Sequence, residues 1–518
     1  MFRQPADGYA LPADFMNPAV MAIGDSLYNG MRSATINAHF ASLAVPALAA
    51  RVAFPDHGFR APKYPEVLLV EIEDRVRDMG LFNLLHGIEK LKAEVLANAT
   101  RWIDGQNILP FEHLAWDNIA ISGAELPDLM ERDFAYWDGI VDQLRPIVAS
   151  GDVGAIFGRA LDLHMSLNGR FLLNPNHRAE MSNMRPVDLV NLRKPKVLLV
   201  NIGANHGLID ITAAGSEGAG NQGPDNGLRK LAKWADEMKD LAGLLTDLGP
   251  ETKQIYVNSI PLPSTVPNQM FVDSLKREFD WPDLKREQNG FFKVYDNHLG
   301  ADYVQYTGKE MTEIDAEVTA IIVRMIDNTR DVFDRAGDDR LRILRLDTAL
   351  KGYDSKHQRD LAITDKRADT SLEHKRRIYT NMAIDYNNFI IGDTAVFRRG
   401  GFTSLDNHHP SGLGYAIFAR ELLKVMQADY PQIDLDDMLI SEMGDRLFSD
   451  PPGEYATFVN IVYGLRRRMA GLTANATLEE ANGEAPKPAA PGPVVKTPEE
   501  EAAQQAARYI TGVAGVDR

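Results

Sequence analysis

The sequence has no cysteine, no long apolar run and no excess of basic residues, and each absence excludes a class of protein. Without cysteine there are no disulfides, no thiolate nucleophile and no cysteine metal ligands. No stretch approaches the roughly 18 apolar residues of a transmembrane helix, and the first residues lack the basic and apolar segments of a secretory signal. Lys and Arg number 56 against 73 Asp and Glu, so the net charge of −17 disfavours nucleic-acid binding. We therefore expect a soluble, cytoplasmic protein without nucleic-acid or integral membrane partners.

Several catalytic and cofactor-binding motifs are also missing. The chain contains no Walker A sequence, no His-Glu-x-x-His and no Gly-x-Ser-x-Gly. A Gly-x-Gly-x-x-Gly at residues 218–223 has no strand leading into it and is followed by Pro224, so we interpret it as a loop. His206 and His408 lack a third ligand at a suitable spacing. We expect neither a metal nor an organic cofactor.

Short apolar, β-branched segments alternate with helical patterns. The composition, 44% hydrophobic and 25% charged, is that of a globular protein. The segments predicted as buried strands are Ala19–Ile23, Asn118–Ile121, Val197–Ile202 and Gln254–Ile260. Helices are predicted between them, at Glu125–Val148 and Leu228–Leu248. This order predicts an α/β fold with a doubly wound parallel sheet in three layers.

Further along the chain, two helices and a tail are predicted. Thr370 and Glu373 form a capping-box pattern before apolar residues at helical spacing up to Phe389, and Ser411 precedes a second such pattern. We assign residues 1–472 to one domain, with large, mainly helical insertions at about 30–115 and 262–369. Residues 473–518, rich in Pro, Ala and Glu, are predicted to be a flexible tail with a short helix at Glu499–Ile510.

A candidate nucleophile follows the first predicted strand. The sequence Ile23-Gly24-Asp25-Ser26-Leu27 places a hydroxyl where the strand ends, and ligands bind at the carboxyl ends of strands in open α/β sheets. On its own, Gly-Asp-Ser is also a common turn sequence. Ser26 is therefore a candidate that depends on a base and on a carboxylate elsewhere in the chain.

Such a base and carboxylate occur together just before the helix that is predicted to follow Ser411. Asp406 and His409 lie three residues apart, just before Pro410 and Ser411. A serine hydroxyl is a weak nucleophile and is activated by an imidazole that a carboxylate orients. Taken alone, Asp-x-x-His is a weak signal, because a histidine near a helix start is also explained as a cap or a hydrogen-bonded surface residue. With Ser26, the two residues form a candidate triad.

Two glycine-containing turns offer donors for an oxyanion. Ser122-Gly123-Ala124 follows the second predicted strand, and Gly203-Ala204-Asn205 follows the third. Glycine allows close backbone approach, and an asparagine amide is a neutral donor. Gly123 and Asn205 are therefore candidate oxyanion-hole residues.

These four blocks, in this order, resemble the SGNH (GDSL) hydrolase family of esterases and lipases. The resemblance implies a flavodoxin-like SGNH fold and acyl-enzyme hydrolysis of a carboxylic ester without metal or cofactor. It implies Ser26 as nucleophile, His409 as base and Asp406 as its orienting carboxylate. The backbone N–H groups of Ser26 and Gly123 and the Asn205 amide would form the oxyanion hole. A small-molecule or lipid ester is then the expected substrate.

The chain departs from the family pattern at one position and leaves alternatives open. His206 follows Asn205 where the family usually has Asp, and His408 stands beside His409, although the Asp-x-x-His spacing favours His409. An acyltransferase with the same triad and a catalytically inactive SGNH-fold binding protein remain alternative functions.

Overall fold

The computed structural model describes the chain in several parts, with gaps between them. The described residues are 1–33, 35–71, 84–105, 109, 114–213, 224–266, 269–271, 290–293, 306–351, 362–363, 378–379, 388–391, 394–397, 404, 406 and 408–435. Within these parts, none of the helices is both long enough and apolar enough to cross a membrane.

Strands and helices alternate along the described chain. The strands are β1 (Val20–Gly24), β2 (Val197–Asn201), β3 (Gln254–Asn258), β4 (Gln269–Phe271), β5 (Phe291–Lys293), β6 (Leu341–Leu344), β7 (Ala362–Ile363), β8 (Ile378–Tyr379), β9 (Asn388–Ile391) and β10 (Thr394–Phe397). The α-helices are α1 (Ser26–Asn29), α2 (Ala38–Ser42), α3 (Val45–Ala53), α4 (Leu84–Ile103), α5 (Leu126–Met130), α6 (Phe134–Ala149), α7 (Val153–Gly158), α8 (Ala160–Leu173), α9 (Pro186–Arg193), α10 (Leu208–Ala213), α11 (Pro224–Thr246), α12 (Gly308–Ala336), α13 (Leu346–Lys351) and α14 (Gly412–Met426). Single 3₁₀ turns occur at Ala6–Gly8, Ala13–Phe15, Ala179–Met181, Ala204–His206 and Pro263–Thr265.

The central sheet is parallel, with the order β1-β2-β3-β6. In its register Val20 pairs with Val197, Val197 with Gln254, and Ile255 with Leu341. The first two strands are buried along their whole length, which explains their continuous apolar sequences. The sequence-based prediction of a mixed α/β fold with a parallel sheet is confirmed.

Helices cover both faces of this sheet. Met21 and Ile23 of β1 belong to the core that α11 and α12 cover, whereas Val20 and Ala22 belong to the core that α3 and α14 cover. Successive side chains of a strand point to opposite faces, so one apolar strand contributes to both cores. The architecture therefore has three layers, with the sheet between two layers of helices.

The segment predicted as the second strand runs along the free edge of β1 without forming a regular strand. Ile119 N–H donates to Ala22 O at 2.9 Å, and Ile121 N–H donates to Gly24 O at 2.9 Å. Only Asn118 and Ala22 meet the pairing pattern of a parallel bridge. The segment runs parallel to β1, as predicted, but it is an extended stretch joined to β1 by a single bridge and is not a regular strand.

Other predicted elements differ from the structure in identifiable ways. The predicted helix Glu125–Val148 is two helices, α5 and α6, because the Asp133 side chain accepts a hydrogen bond from Tyr136 N and starts α6 anew. The helix predicted from Thr370 to Phe389 is wrong where it is described, since residues 378–379 and 388–391 form antiparallel strands. The helices predicted at Leu228–Leu248 and after Ser411 are confirmed by α11 and α14.

The segment 262–369 contributes to the sheet layer itself. It contains β6, the edge strand of the sheet, and the 29-residue helix α12 that precedes it. These elements were not recognised in the sequence. The glycine-rich loop at 218–223 and the tail at 473–518 lie outside the described residues.

Candidate active site

Ser26 is the first residue of α1, directly after β1. The turn is tight because Gly24 has φ 147°, and a Cβ atom added to it would lie only 2.0 Å from Asn201 O. Asp25 caps the helix by accepting a hydrogen bond from Leu27 N–H at 3.1 Å. The strand end thus delivers the Ser26 hydroxyl to the carboxyl edge of the sheet, where the residue remains 7% exposed.

His409 and Asp406 lie against Ser26 although they are far away in sequence. His409 Nε2 is 2.9 Å from Ser26 Oγ, across a separation of 383 residues. His409 Nδ1 is 2.8 Å from Asp406 Oδ2. The three candidate triad residues therefore form a continuous hydrogen-bonded chain.

The turn that carries Asp406 and His409 is fixed by its own backbone. Asp406 Oδ1 accepts hydrogen bonds from His409 N–H at 2.8 Å and from His408 N–H at 3.0 Å. Immediately afterwards, Ser411 caps α14 by accepting from Gly414 N–H at 3.2 Å. The His408 ring is turned to Asp406 O, with Nδ1 at 2.9 Å, so it is His409 that contacts Ser26.

Electrostatics determine the protonation state of Asp406 in this row of hydrogen-bonded residues. Burial on its own raises the pKa of Asp406, but the adjacent His409, through its charge and its hydrogen bonds, outweighs burial and lowers that pKa well below its usual range. Asp406 is therefore ionised, and His409 Nδ1–H donates to it. The lone pair of His409 Nε2 is then free to accept the Ser26 hydroxyl proton.

The turn containing Gly123 is held by buried polar side chains. Asn168 of α8 accepts Ser122 N–H at 3.0 Å, and Ser122 Oγ donates to Asn29 Oδ1 of α1 at 2.7 Å. Gly123 has φ 79°, and a Cβ atom added there would lie 2.7 Å from Met165 Sδ. The Gly123 turn is thus connected directly to the helix that begins with Ser26.

Asn205 and His206 connect the loop after β2 to the same turn. Asn205 Nδ2 donates to Ala124 O at 3.0 Å, and Leu126 N–H donates to His206 Nε2 at 3.0 Å. Burial, followed by nearby Lys233 and Lys230, lowers the pKa of His206 to about 3, so the ring is neutral and its Nε2 is an acceptor. His206 therefore provides a neutral acceptor for the Leu126 N–H group.

A row of polar residues at the strand ends was not recognised in the sequence. Asn201 Nδ2 donates to Asp25 Oδ1 at 2.7 Å, and Asn258 Nδ2 donates to Asn201 Oδ1 at 2.9 Å and to Tyr28 OH at 2.7 Å. Burial raises the pKa of Asp25 to about 7, against the opposing effects of the Leu27 N–H and Asn201 hydrogen bonds. The signal was present in the sequence, because Asn201 and Asn258 are each the polar last residue of an apolar strand.

No metal-binding group accompanies the site in the part of the chain that the structure describes. There, no cluster of three or more His, Asp or Glu side chains has the arrangement of a metal centre. Comparison of the chain with protein-family models, curated proteins and solved structures finds no match.

Proposed function

We propose that the protein is a serine ester hydrolase of the SGNH type, which cleaves a carboxylic ester through an acyl-enzyme on Ser26. The observation that carries the proposal is the pair of contacts at 2.9 Å from Ser26 Oγ to His409 Nε2 and at 2.8 Å from His409 Nδ1 to Asp406 Oδ2. Nucleophile, base and orienting carboxylate within hydrogen-bond reach are the geometric requirement for nucleophilic acyl transfer.

The position of Ser26 in the sheet supports the same proposal. Across the sheet, residues 118–121, β1, β2, β3 and β6 follow one another, which is the chain order 2-1-3-4-5 of flavodoxin-like folds. After β1, the chain first places residues 118–121 on one side of that strand and then places β2 on its other side. The topological switch point therefore lies between β1 and β2. Ser26 follows β1 and Asn205 follows β2, on either side of the crevice where such folds bind ligands.

In the proposed reaction, Ser26 Oγ attacks the ester carbonyl carbon while its proton passes to His409 Nε2. The oxyanion that forms is stabilised by the backbone N–H groups of Ser26 and Gly123 and by the Asn205 amide. Asn205 has two amide N–H groups: the one donated to Ala124 O fixes the side chain, and the second serves the oxyanion.

The intermediate collapses when His409 gives its proton to the leaving alcohol oxygen and the C–O bond breaks. Water then attacks the acyl-enzyme, loses a proton to His409 Nε2 and releases the carboxylic acid as that proton returns to Ser26 Oγ. Asp406 remains ionised throughout and stabilises the imidazolium form of His409.

The test is hydrolysis of p-nitrophenyl acetate and p-nitrophenyl octanoate, together with fluorophosphonate labelling read by intact mass. Ser26→Ala is expected to lower kcat on the order of 10⁶-fold and to abolish labelling. Ser150→Ala is the matched control, because Ser150 is exposed and its hydroxyl makes local backbone hydrogen bonds, donating to Ile147 O and accepting from Asp152 N–H. A folded wild type that neither labels nor hydrolyses either ester would refute the proposal and favour a binding protein. Added alcohols separate hydrolase from acyltransferase, since only the latter diverts most of the acyl group from water.

A further inference from the structure

Among the residues that the structure describes, one buried histidine outside the triad has no hydrogen-bond partner. His164 lies in α8 and is 1% exposed, and neither its Nδ1 nor its Nε2 has a partner among the described residues. Buried polar atoms are almost always paired, so an imidazole with both nitrogens unpaired requires a physical explanation. By contrast, both ring nitrogens of His409 are engaged.

Its position on α8 places His164 beside the candidate active site. Asn168, one turn later on the same helix, accepts Ser122 N–H, and residues four apart on a helix lie on the same face. Met165, the next residue, packs under Gly123. The ring is also close enough to His409 for a charge there to act on it, as an effect secondary to burial. This face of α8 is thus the wall behind the Gly123 turn.

The chemistry of the ring restricts what it can bind. Burial, with a smaller contribution from His409, lowers the pKa of His164 to about 3, so the ring is neutral. A neutral imidazole presents one N–H donor and one lone-pair acceptor. An ionised carboxylate or a phosphodiester cannot donate to the lone pair, and an ammonium group cannot accept from the N–H. A hydroxyl group does both.

We propose that His164 binds a hydroxyl group of the ester substrate, so that the site prefers hydroxylated esters to their plain counterparts. This inference rests on the proposed esterase function and names its substrate class. Ser26 and His409 are 7% and 8% exposed, whereas His164 is only 1% exposed, so a substrate hydroxyl that reaches His164 must displace neighbouring side chains. Met165, adjacent to His164, is unbranched and flexible enough to allow this.

The test compares two pairs of esters that differ by one hydroxyl group. The first pair is p-nitrophenyl butyrate and p-nitrophenyl 3-hydroxybutyrate, with the hydroxyl in the acyl part. The second pair is propyl butyrate and 2-hydroxypropyl butyrate, with the hydroxyl in the alcohol part. Wild type is expected to show a kcat/KM about tenfold or more higher for the hydroxylated member of at least one pair, the effect of one additional buried hydrogen bond.

Two variants separate binding from structural support. His164→Leu is expected to lose this preference, so that its kcat/KM falls about tenfold more for the hydroxylated ester than for the plain one, because leucine fills a similar volume but has no hydrogen-bonding atoms. His164→Gln keeps a donor and an acceptor and is expected to retain part of the preference. Thermal unfolding of both variants verifies that they are folded.

The outcomes distinguish the inference from the proposed function. A wild type that hydrolyses the plain esters without preferring a hydroxylated one refutes the inference alone. Equal losses on both members of a pair in His164→Leu also refute it and indicate an internal water as the partner. A wild type that hydrolyses none of the esters refutes the proposed function, and the inference with it.

Discussion

Replacement of Asp406 by Asn tests the proposed triad most directly. Asp406 Oδ1 accepts the N–H groups of His408 and His409 at 3.0 and 2.8 Å, so the oxygen of the new amide must occupy this position. Its NH₂ group then faces His409 Nδ1, which can only accept. The imidazole proton moves to Nε2 and points at Ser26 Oγ, so His409 is no longer a base.

The expected loss is large and specific to catalysis. A wrong histidine tautomer with intact geometry lowers kcat on the order of 10⁴-fold, about 5 kcal/mol of transition-state stabilisation. The fold is expected to survive, because both backbone hydrogen bonds to Oδ1 are kept and the volume is unchanged. The assay measures kcat on p-nitrophenyl acetate, the rate of fluorophosphonate labelling and Tm.

The matched control is Asp152→Asn, because Asp152 is exposed and asparagine accepts the hydrogen bond from Ala155 N–H equally well. Its kcat and Tm are expected to match those of wild type. If Asp406→Asn keeps more than a tenth of the wild-type kcat with an unchanged Tm, the tautomer argument is refuted.

Three further predictions concern the surroundings of the triad. His206→Leu removes the acceptor of Leu126 N–H and is expected to lower kcat at least about tenfold with little change in KM. His206→Gln retains an acceptor and is expected to keep most of the activity. Equal kcat values in the two variants would contradict the role of His206 as the acceptor of Leu126 N–H. The folded-state pKa of Asp25 is raised from 3.8 to about 7, so the folded protein retains a proton that the unfolded chain releases, and stability falls as pH rises between these values. Asp25→Asn removes this titration, so the Tm of the variant relative to that of wild type is expected to rise from pH 4 to pH 8. Parallel curves of Tm against pH for the two proteins would disprove this prediction. Gly123→Ala places a side chain at a residue with φ 79° and puts its Cβ 2.7 Å from Met165 Sδ, so kcat is expected to fall about 10²-fold. A folded variant with the wild-type kcat would count against the oxyanion role of Gly123.

The sequence predicts those features whose signal is local. Continuous apolar segments identify β1, β2 and β3, since strands buried on both faces have no polar alternation. Four short blocks that resemble a known hydrolase pattern identify Ser26, Asp406 and His409 as candidates, and the structure places these residues in contact. These features depend on residue type and order along the chain alone.

Features that depend on tertiary partners were missed. The edge strand β6 contains Arg342, whose guanidinium pairs with Asp429 at 2.6 Å, so its sequence lacks the apolar run of a central strand. The break before α6 depends on the Asp133 cap, while the apolar periodicity continues across it. The unpaired His164 gives no signal in the sequence, because burial and missing partners are properties of the folded chain.

The long separation between Ser26 and His409 has a consequence for biosynthesis. The hydroxyl and its base are 383 residues apart, so a ribosome has made most of the chain before the two can meet. At about 5–20 residues per second, the nascent protein carries Ser26 without its base for roughly 20–80 seconds. Under the proposed mechanism, the serine is an ordinary alcohol throughout that interval, and reactivity toward a fluorophosphonate is expected only once both ends of the sheet domain have joined. Such a probe therefore reports the completion of folding in addition to the identity of the nucleophile.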